Sequence, residues 1–291
     1  MGVAATLLAF VAITLWSFLA YLGARLNHIP PFVLVGLALA ISGLISLFAV
    51  RDWRVPLKTF LVGVGGLFGY HFLYFSACRH APAIEANLMN YLWPLLIVVL
   101  SPLYLPGYRL QLHHLVGAFM GLCGAGLIVT GGKLSLDAAN LSGYLLAAGA
   151  AIVWASYSLL TKRLPSFPTA AVGGFCLASG LLSLAISWLD PYSGLLSIKL
   201  MPDDFFLLAA LGTGPMGAAF FAWDASLKRG DPRIIGSLSY LTPLLSTAWL
   251  VLLAGHSLTW VSAIAMILIV SGAFIGSIDL FRTKQELSQA K

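Results

Sequence analysis

The chain has 291 residues, of which 60% are hydrophobic and only 9% charged, and its mean hydropathy is +0.95. Soluble domains carry about 25% charged residues, so an ordinary water-soluble fold is excluded. The net charge of +6 is no nucleic-acid signal, because the basic residues fall between apolar runs, where membrane insertion places them.

Runs free of internal Lys or Arg occur at about 3–22, 31–50, 59–78, 83–104, 113–131, 142–160, 169–189, 204–227, 234–254 and 258–279. Each approaches the roughly 20 apolar residues that a spanning helix needs, so ten spans are expected. The first run lacks a basic n-region and reads as a retained span rather than a cleaved signal. It carries Trp16 well inside its length. The third places His71, Tyr74 and Phe75 on one face, near Gly63, Gly65, Gly66 and Gly69. A lone His there reads first as a hydrogen-bonded packing residue and second as a proton carrier.

The fourth run opens with "PAIEANLMNYLWPLL" (82–96), an odd way to enter lipid, which offers Glu85, Asn87 and Asn90 nothing to bond. Asn87, Asn90, Tyr91 and Pro94 share one side of an ideal helix, and Glu85, Met89 and Trp93 another. Pro94 removes a backbone donor, which is tolerated where the helix faces protein or a water-filled cavity. The sixth run holds Trp154; the eighth holds Phe220, Trp223 and Asp224 on one face; the ninth holds Ser237, Ser239, Tyr240 and Pro243. Asp224 has an alternative as the partner of Lys228 four residues on. Glu85 has one as the partner of Arg79 or His80. The longest connection, "DPYSGLLSIKLMPDD" (190–204), has room for one interfacial turn. Cys78, Cys123 and Cys176 are far apart and read as small packing residues, with no disulfide framework or metal-ligand spacing.

With a cytoplasmic N-terminus, twelve of the sixteen Lys and Arg residues fall inside and four outside, so both termini are expected in the cytoplasm. The ten spans also divide into five used twice. Trp16…Arg25-Leu26 returns as Trp154…Arg163-Leu164, 138 residues on, and "SGLISL" (42–47) as "SGLLSL" (179–184). "RHAP" (79–82) matches "RGDP" (229–232), and Tyr91-Leu92-Trp93-Pro94 matches Tyr240-Leu241-Thr242-Pro243, offset 149. An odd number of spans per repeat inverts the second repeat, and such pairs enclose a midplane site that opens alternately to either side. Residues 1–137 and 138–281 are the expected repeats, with 282–291 a cytoplasmic tail. A transporter is the expectation. A hydrolase would need paired aspartates, a serine with its base or clustered metal ligands, and a channel would need a filter segment.

"AIEANLMNYLWP" (83–94), "AWDASLKRGD" (222–231) and "SYLTPLLS" (239–246) resemble the aromatic amino-acid exporters of the YddG type, within the EamA-like drug/metabolite transporter superfamily. The resemblance covers essentially the whole chain. It implies a bacterial inner-membrane exporter with cytoplasmic termini, ten spans as two inverted repeats around a central cavity, and aromatic or other neutral amino acids as substrates. A duplicated chain can complete the pathway as a monomer, and neither a cofactor nor a metal is expected. It places Glu85, Asn90, Tyr91, Trp93 and Pro94 in the cavity or its gate, with Tyr240, Thr242 and Pro243 as counterparts. Asp224 departs from the amide expected in the related motif. Trp16, His71, Tyr74, Phe75, Trp154, Trp223 and Ser239 complete the expected lining. A multidrug or quaternary-ammonium exporter of the same fold is the alternative. No Lys or Arg lies within the spans, which counts against phosphorylated substrates.

Overall fold

The computed structural model describes residues 2–133, 136–189, 200–254 and 259–279, and every regular element among them is helical. The expected turn in 190–204 falls mostly outside these residues, as does the C-terminal tail.

The first span is α1 (Val3–Ser17) and α2 (Leu19–Arg25), and the second is α3 (Pro31–Ile45) followed by a 3-10 segment (Ser46–Trp53). The third is α4 (Leu57–His80), and the fourth is α5 (Ala83–Asn90) and α6 (Leu92–Tyr104). The fifth is α7 (Leu112–Thr130), and the sixth is α8 (Leu141–Arg163) with a short 3-10 lead. The seventh is α9 (Ala171–Leu189). The eighth is α10 (Pro202–Thr213), a π-turn (Gly214–Ala218) and α11 (Ala219–Arg229). The ninth is α12 (Pro232–Ser239) and α13 (Leu241–Ala254), and the tenth is α14 (Trp260–Gly276). Nine of these segments are long and apolar enough to cross a membrane, and α14 is a shorter apolar helix of 17 residues.

The inversion is visible in what the first helix of each repeat touches. At the end of the molecule bearing Asp224, the start of α1 meets the α11–α12 junction, where Ser226 Oγ donates to the Ala5 carbonyl at 2.9 Å. At the end bearing Glu85, the start of α8 meets the α4–α5 junction. A Cβ on Gly143 would lie 2.5 Å from Ala81 Cβ and 2.8 Å from its amide nitrogen. The same contact is thus made twice, at opposite ends.

Three close helix crossings form the scaffold, two of them between helices related by the repeat. α7 crosses α14 so closely that a Cβ on Gly117 would come within 2.4 Å of the Gly276 nitrogen. α3 crosses α9 where Gly36 and Gly43 meet Leu184 and Leu177. α4 packs on α8, with Gly66 making room for the Tyr157 ring. Small residues let these backbones approach and gain dispersion contact, because apolar burial gives no drive between helices in lipid. Of the cysteines, Cys176 is buried and Cys78 partly so, but Cys123 is exposed on α7; the packing role expected of it is corrected accordingly.

Candidate functional site

Four tryptophans from four different spans meet between the repeats. Trp16 (α1), Trp93 (α6), Trp154 (α8) and Trp223 (α11) touch in all six pairings, with ring centroids 5.0–6.4 Å apart. All four are buried, from 1% to 8% exposed. Most pairs are edge-on or tilted, the arrangement ring quadrupoles prefer. Trp223 Nε1 donates to Ser158 Oγ at 3.0 Å, so this indole also has its polar edge satisfied.

The wall around the indoles comes from α4 and α11. Phe220 packs on Trp16 at 6.1 Å and on Trp154 at 5.7 Å, and Tyr70 meets Trp154 at 5.2 Å. Tyr70 stacks on Tyr74 and contacts the edge of His71 at 4.9 Å; His71 in turn stacks toward Phe75. His71 is 5% exposed and its Nδ1–H donates to the Leu67 carbonyl at 2.7 Å. That matches the packing reading of this residue.

Asn90 closes one flank. Its Nδ2 donates to the Tyr70 hydroxyl at 3.1 Å, while its buried Oδ1 accepts nothing among the described residues. A buried amide oxygen left without a donor is costly, so it is an acceptor waiting for one. Tyr70, which sequence reasoning did not single out, is the residue that brings Asn90 to the indoles. A Tyr four residues before Tyr74 and one before His71 was the available signal.

Glu85 and Asp224 lie at opposite ends and are held differently. Asp224 is 1% exposed; its Oδ2 accepts from Lys228 Nζ at 2.6 Å and from Thr169 Oγ1 at 2.7 Å. The expected i,i+4 partnership with Lys228 is therefore present. Lys228 also donates to the Phe167 carbonyl at 2.9 Å and sits 3.4 Å over the Phe167 ring. Lys162 caps the end of α11, donating to the carbonyls of Leu227 at 2.9 Å and Gly230 at 2.7 Å. Glu85, by contrast, accepts from the Tyr144 hydroxyl rather than from His80, whose Nδ1–H donates to the Ser76 carbonyl. Tyr144 lay outside the sequence expectation, since nothing in its neighbourhood marks it.

Both proline-interrupted spans break where the motif predicts, at Tyr91 before Pro94 and at Tyr240 before Pro243. Ser239 and Tyr240, expected to line the cavity, are fully buried here. Ser239 Oγ donates to the Ile235 carbonyl, and Tyr240 bonds the backbone of the fourth span.

His113, His114 and Asp279 form a second polar group, with Nε2 of the two histidines 3.3 and 3.1 Å from the carboxylate. Their spacing suits a small cation, but the hydrogen bonding does not. The Gln111 backbone N–H donates to His114 Nδ1, so the neutral ring carries its proton on Nε2, pointing at Asp279. A metal-bound imidazole donates from its second nitrogen, and here that position faces another donor. His114 thus ties α7 to the end of the tenth span, with His113 Nε2 beside the same carboxylate but making no hydrogen bond among the described residues.

Comparison with known proteins fits this geometry. The model of the EamA-like transporter family matches the chain twice, at residues 3–130 and 141–278. The aromatic amino acid exporter YddG of Ancylobacter novellus is 41% identical over 284 residues, covering 94% of this chain and 97% of that protein. The aromatic amino acid exporter YddG of Salmonella typhimurium is 28% identical, covering 88% and 90%. One solved crystal structure superposes with a TM-score of 0.88 at 42% identity, over 94% of this chain and 96% of that one. The chain belongs to the EamA-like transporter family.

Proposed function

We propose that this protein exports aromatic and other neutral amino acids across a bacterial inner membrane, by alternating access to the space now closed by the four indoles. The observation that carries the reading is that cluster: four tryptophans contributed by both repeats, with an unpartnered amide oxygen on Asn90 at its flank. An aromatic side chain entering among the indoles exchanges one set of ring contacts for another, each pair contributing about 0.5–1.5 kcal/mol beyond burial. The α-ammonium group supplies the donor that Asn90 Oδ1 lacks.

In this reading residues 1–137 and 138–281 are the two repeats, and the protein works as a monomer in the lipid bilayer, since one duplicated chain completes the pathway. Family membership makes it a carrier and not a hydrolase. The distribution of Lys and Arg puts the Asp224 end, with both termini, in the cytoplasm. The arrangement described above is then the outward-facing one, closed on the cytoplasmic side. Export of lipophilic cations fits less well, because Lys228 already balances the Asp224 charge, with Thr169 on the same Oδ2, and Glu85 accepts from Tyr144; Asp224 Oδ1 itself has no donor among the described residues.

Counterflow in proteoliposomes tests this. Vesicles preloaded with unlabelled phenylalanine should accumulate labelled phenylalanine without an imposed pH gradient, and external neutral amino acids should suppress it. Asn90→Leu should raise the concentration needed for half-maximal uptake about tenfold, the cost of one charge-assisted hydrogen bond. Uptake suppressed only by lipophilic cations would sink the amino-acid reading.

A further inference from the structure

The break in the fourth span is held open by a residue from the ninth. In an unbroken helix the Leu95 N–H would bond the Tyr91 carbonyl, four residues back. Here the Tyr240 hydroxyl stands between them, accepting from the Leu95 N–H at 3.1 Å and donating to the Tyr91 carbonyl at 3.2 Å. A polar group inserted into the helical ladder produces a sharp kink, and Pro94 adds to it by lacking its own N–H. Tyr240 is fully buried, and its ring fits because position 121 is glycine; a Cβ there would lie 2.3 Å from the ring.

Tyr240 has a repeat equivalent, Tyr91, and its two targets have equivalents at the same offset of 149: the Tyr240 carbonyl and the Leu244 N–H. Tyr91 and Leu244 already pack into the same apolar cluster as Tyr240. Yet the Tyr91 hydroxyl makes no hydrogen bond among the described residues. One tyrosine is engaged while its counterpart is idle.

We propose that Tyr240 and Tyr91 are alternating positioning residues of the transport cycle. Tyr240 inserted in the fourth span sets the conformation described here. Tyr91 inserted in the ninth, between the Leu244 N–H and the Tyr240 carbonyl, sets the opposite one. Because each tyrosine supplies the carbonyl its counterpart bonds, the two insertions exchange rather than accumulate. Matching Gly124-Ala125 to Gly272-Ala273 puts Ile269 where Gly121 stands, so the slot for Tyr91 is the narrower one and its hold the weaker.

The inference rests on alternating access, and its test separates the two. In the full-length protein with Cys78, Cys123 and Cys176 replaced, Val98→Cys provides a reporter at a fully buried site on α6 where α12 covers it, a contact without a counterpart at the Glu85 end. Its maleimide labelling rate follows the fraction of molecules open at the Asp224 end. Tyr240→Phe should raise that rate about two- to tenfold, the range for losing neutral hydrogen bonds, and Tyr91→Phe should lower it by a smaller factor. Simple loss of stability would raise it in both variants. Rates that move in the same direction, or not at all, while added phenylalanine still changes labelling of the parent, overturn the exchange of tyrosines. A parent rate insensitive to phenylalanine overturns alternating access itself.

Discussion

The two ends of the molecule are built from equivalent segments that are packed differently. In α12, Pro232, Ile234, Ile235, Gly236, Ser237, Leu238 and Ser239 are all buried. In its repeat counterpart α5, only Ala86 and Asn90 are. α12 lies along α6, where a Cβ on Gly236 would sit 3.0 Å from the Pro94 carbonyl oxygen, whereas α5 and α13 make no comparable contact. The ties at the two ends use different partners. The Asp224 end is closed by Lys228 and Thr169 on Asp224, by Lys162 on the end of α11, and by Arg233 on Asp231 and the Arg109 carbonyl. The Glu85 end has its own ties: His28 on the buried Asp204 at 3.0 Å, Tyr144 on Glu85, and Phe32 against Phe72 and Phe75. Two copies of one design are thus packed differently: α12 is buried against α6, while its counterpart α5 is left half-exposed.

Substitutions sharpen this contrast in order of size. The largest effect is expected from Lys228→Met, which strands a carboxylate that is 1% exposed. Removing one partner of a buried pair costs about 3–5 kcal/mol. Because Lys228 is itself partly accessible, about 2–3 kcal/mol of closure at the Asp224 end is the expected loss, read as faster labelling of Val98→Cys. Next comes Gly236→Ala, whose new methyl crowds the Pro94 carbonyl and Val98. It should cost about 1–2 kcal/mol by overpacking, while Asn87→Ala at the equivalent position in α5 costs far less. Thermal unfolding of the purified variants compares the two.

Thr169→Val removes one hydrogen bond to Asp224 and should weaken the same closure by about 1–2 kcal/mol, seen as a smaller rise in labelling than for Lys228→Met. The smallest change is expected from Tyr144→Phe. Glu85 is only half-buried, so water replaces the lost hydroxyl and unfolding should shift by less than about 1 kcal/mol. If Tyr144→Phe proved as damaging as Lys228→Met, the two ends would be equally shut and the contrast would fail.

Much of this architecture is legible in the sequence. The ten apolar runs, the repeated Trp16 and Trp154, and the two breaks before Pro94 and Pro243 follow from hydropathy and spacing alone. The partnership of Asp224 with Lys228 is a local i,i+4 relation and was equally readable. What the sequence conceals is long-range pairing. Tyr70 with Asn90, Tyr144 with Glu85 and Thr169 with Asp224 join residues 20, 59 and 55 positions apart, and only the packed fold brings them together. The same is true of Tyr240, 149 residues from the carbonyl it bonds. Its position in a cavity-facing motif suggested lining, but the helix break offers its hydroxyl unpaired backbone groups, and those bonds take the side chain out of the pathway. Nor can symmetry in sequence tell that α12 is buried while α5 is half-exposed, since the two copies share the motif and differ only in what packs on it.

The most direct measurement compares labelling at the two ends of the cysteine-free protein without substrate. Asn87→Cys reports the Glu85 end, where α5 is half-exposed, and Val98→Cys reports the Asp224 end, where α12 covers the fully buried valine. Labelling at position 87 at least about tenfold faster is expected, corresponding to a preference of about 1.4 kcal/mol for the conformation described here. Equal rates, or faster labelling at position 98, would contradict a protein shut at the Asp224 end and open at the other.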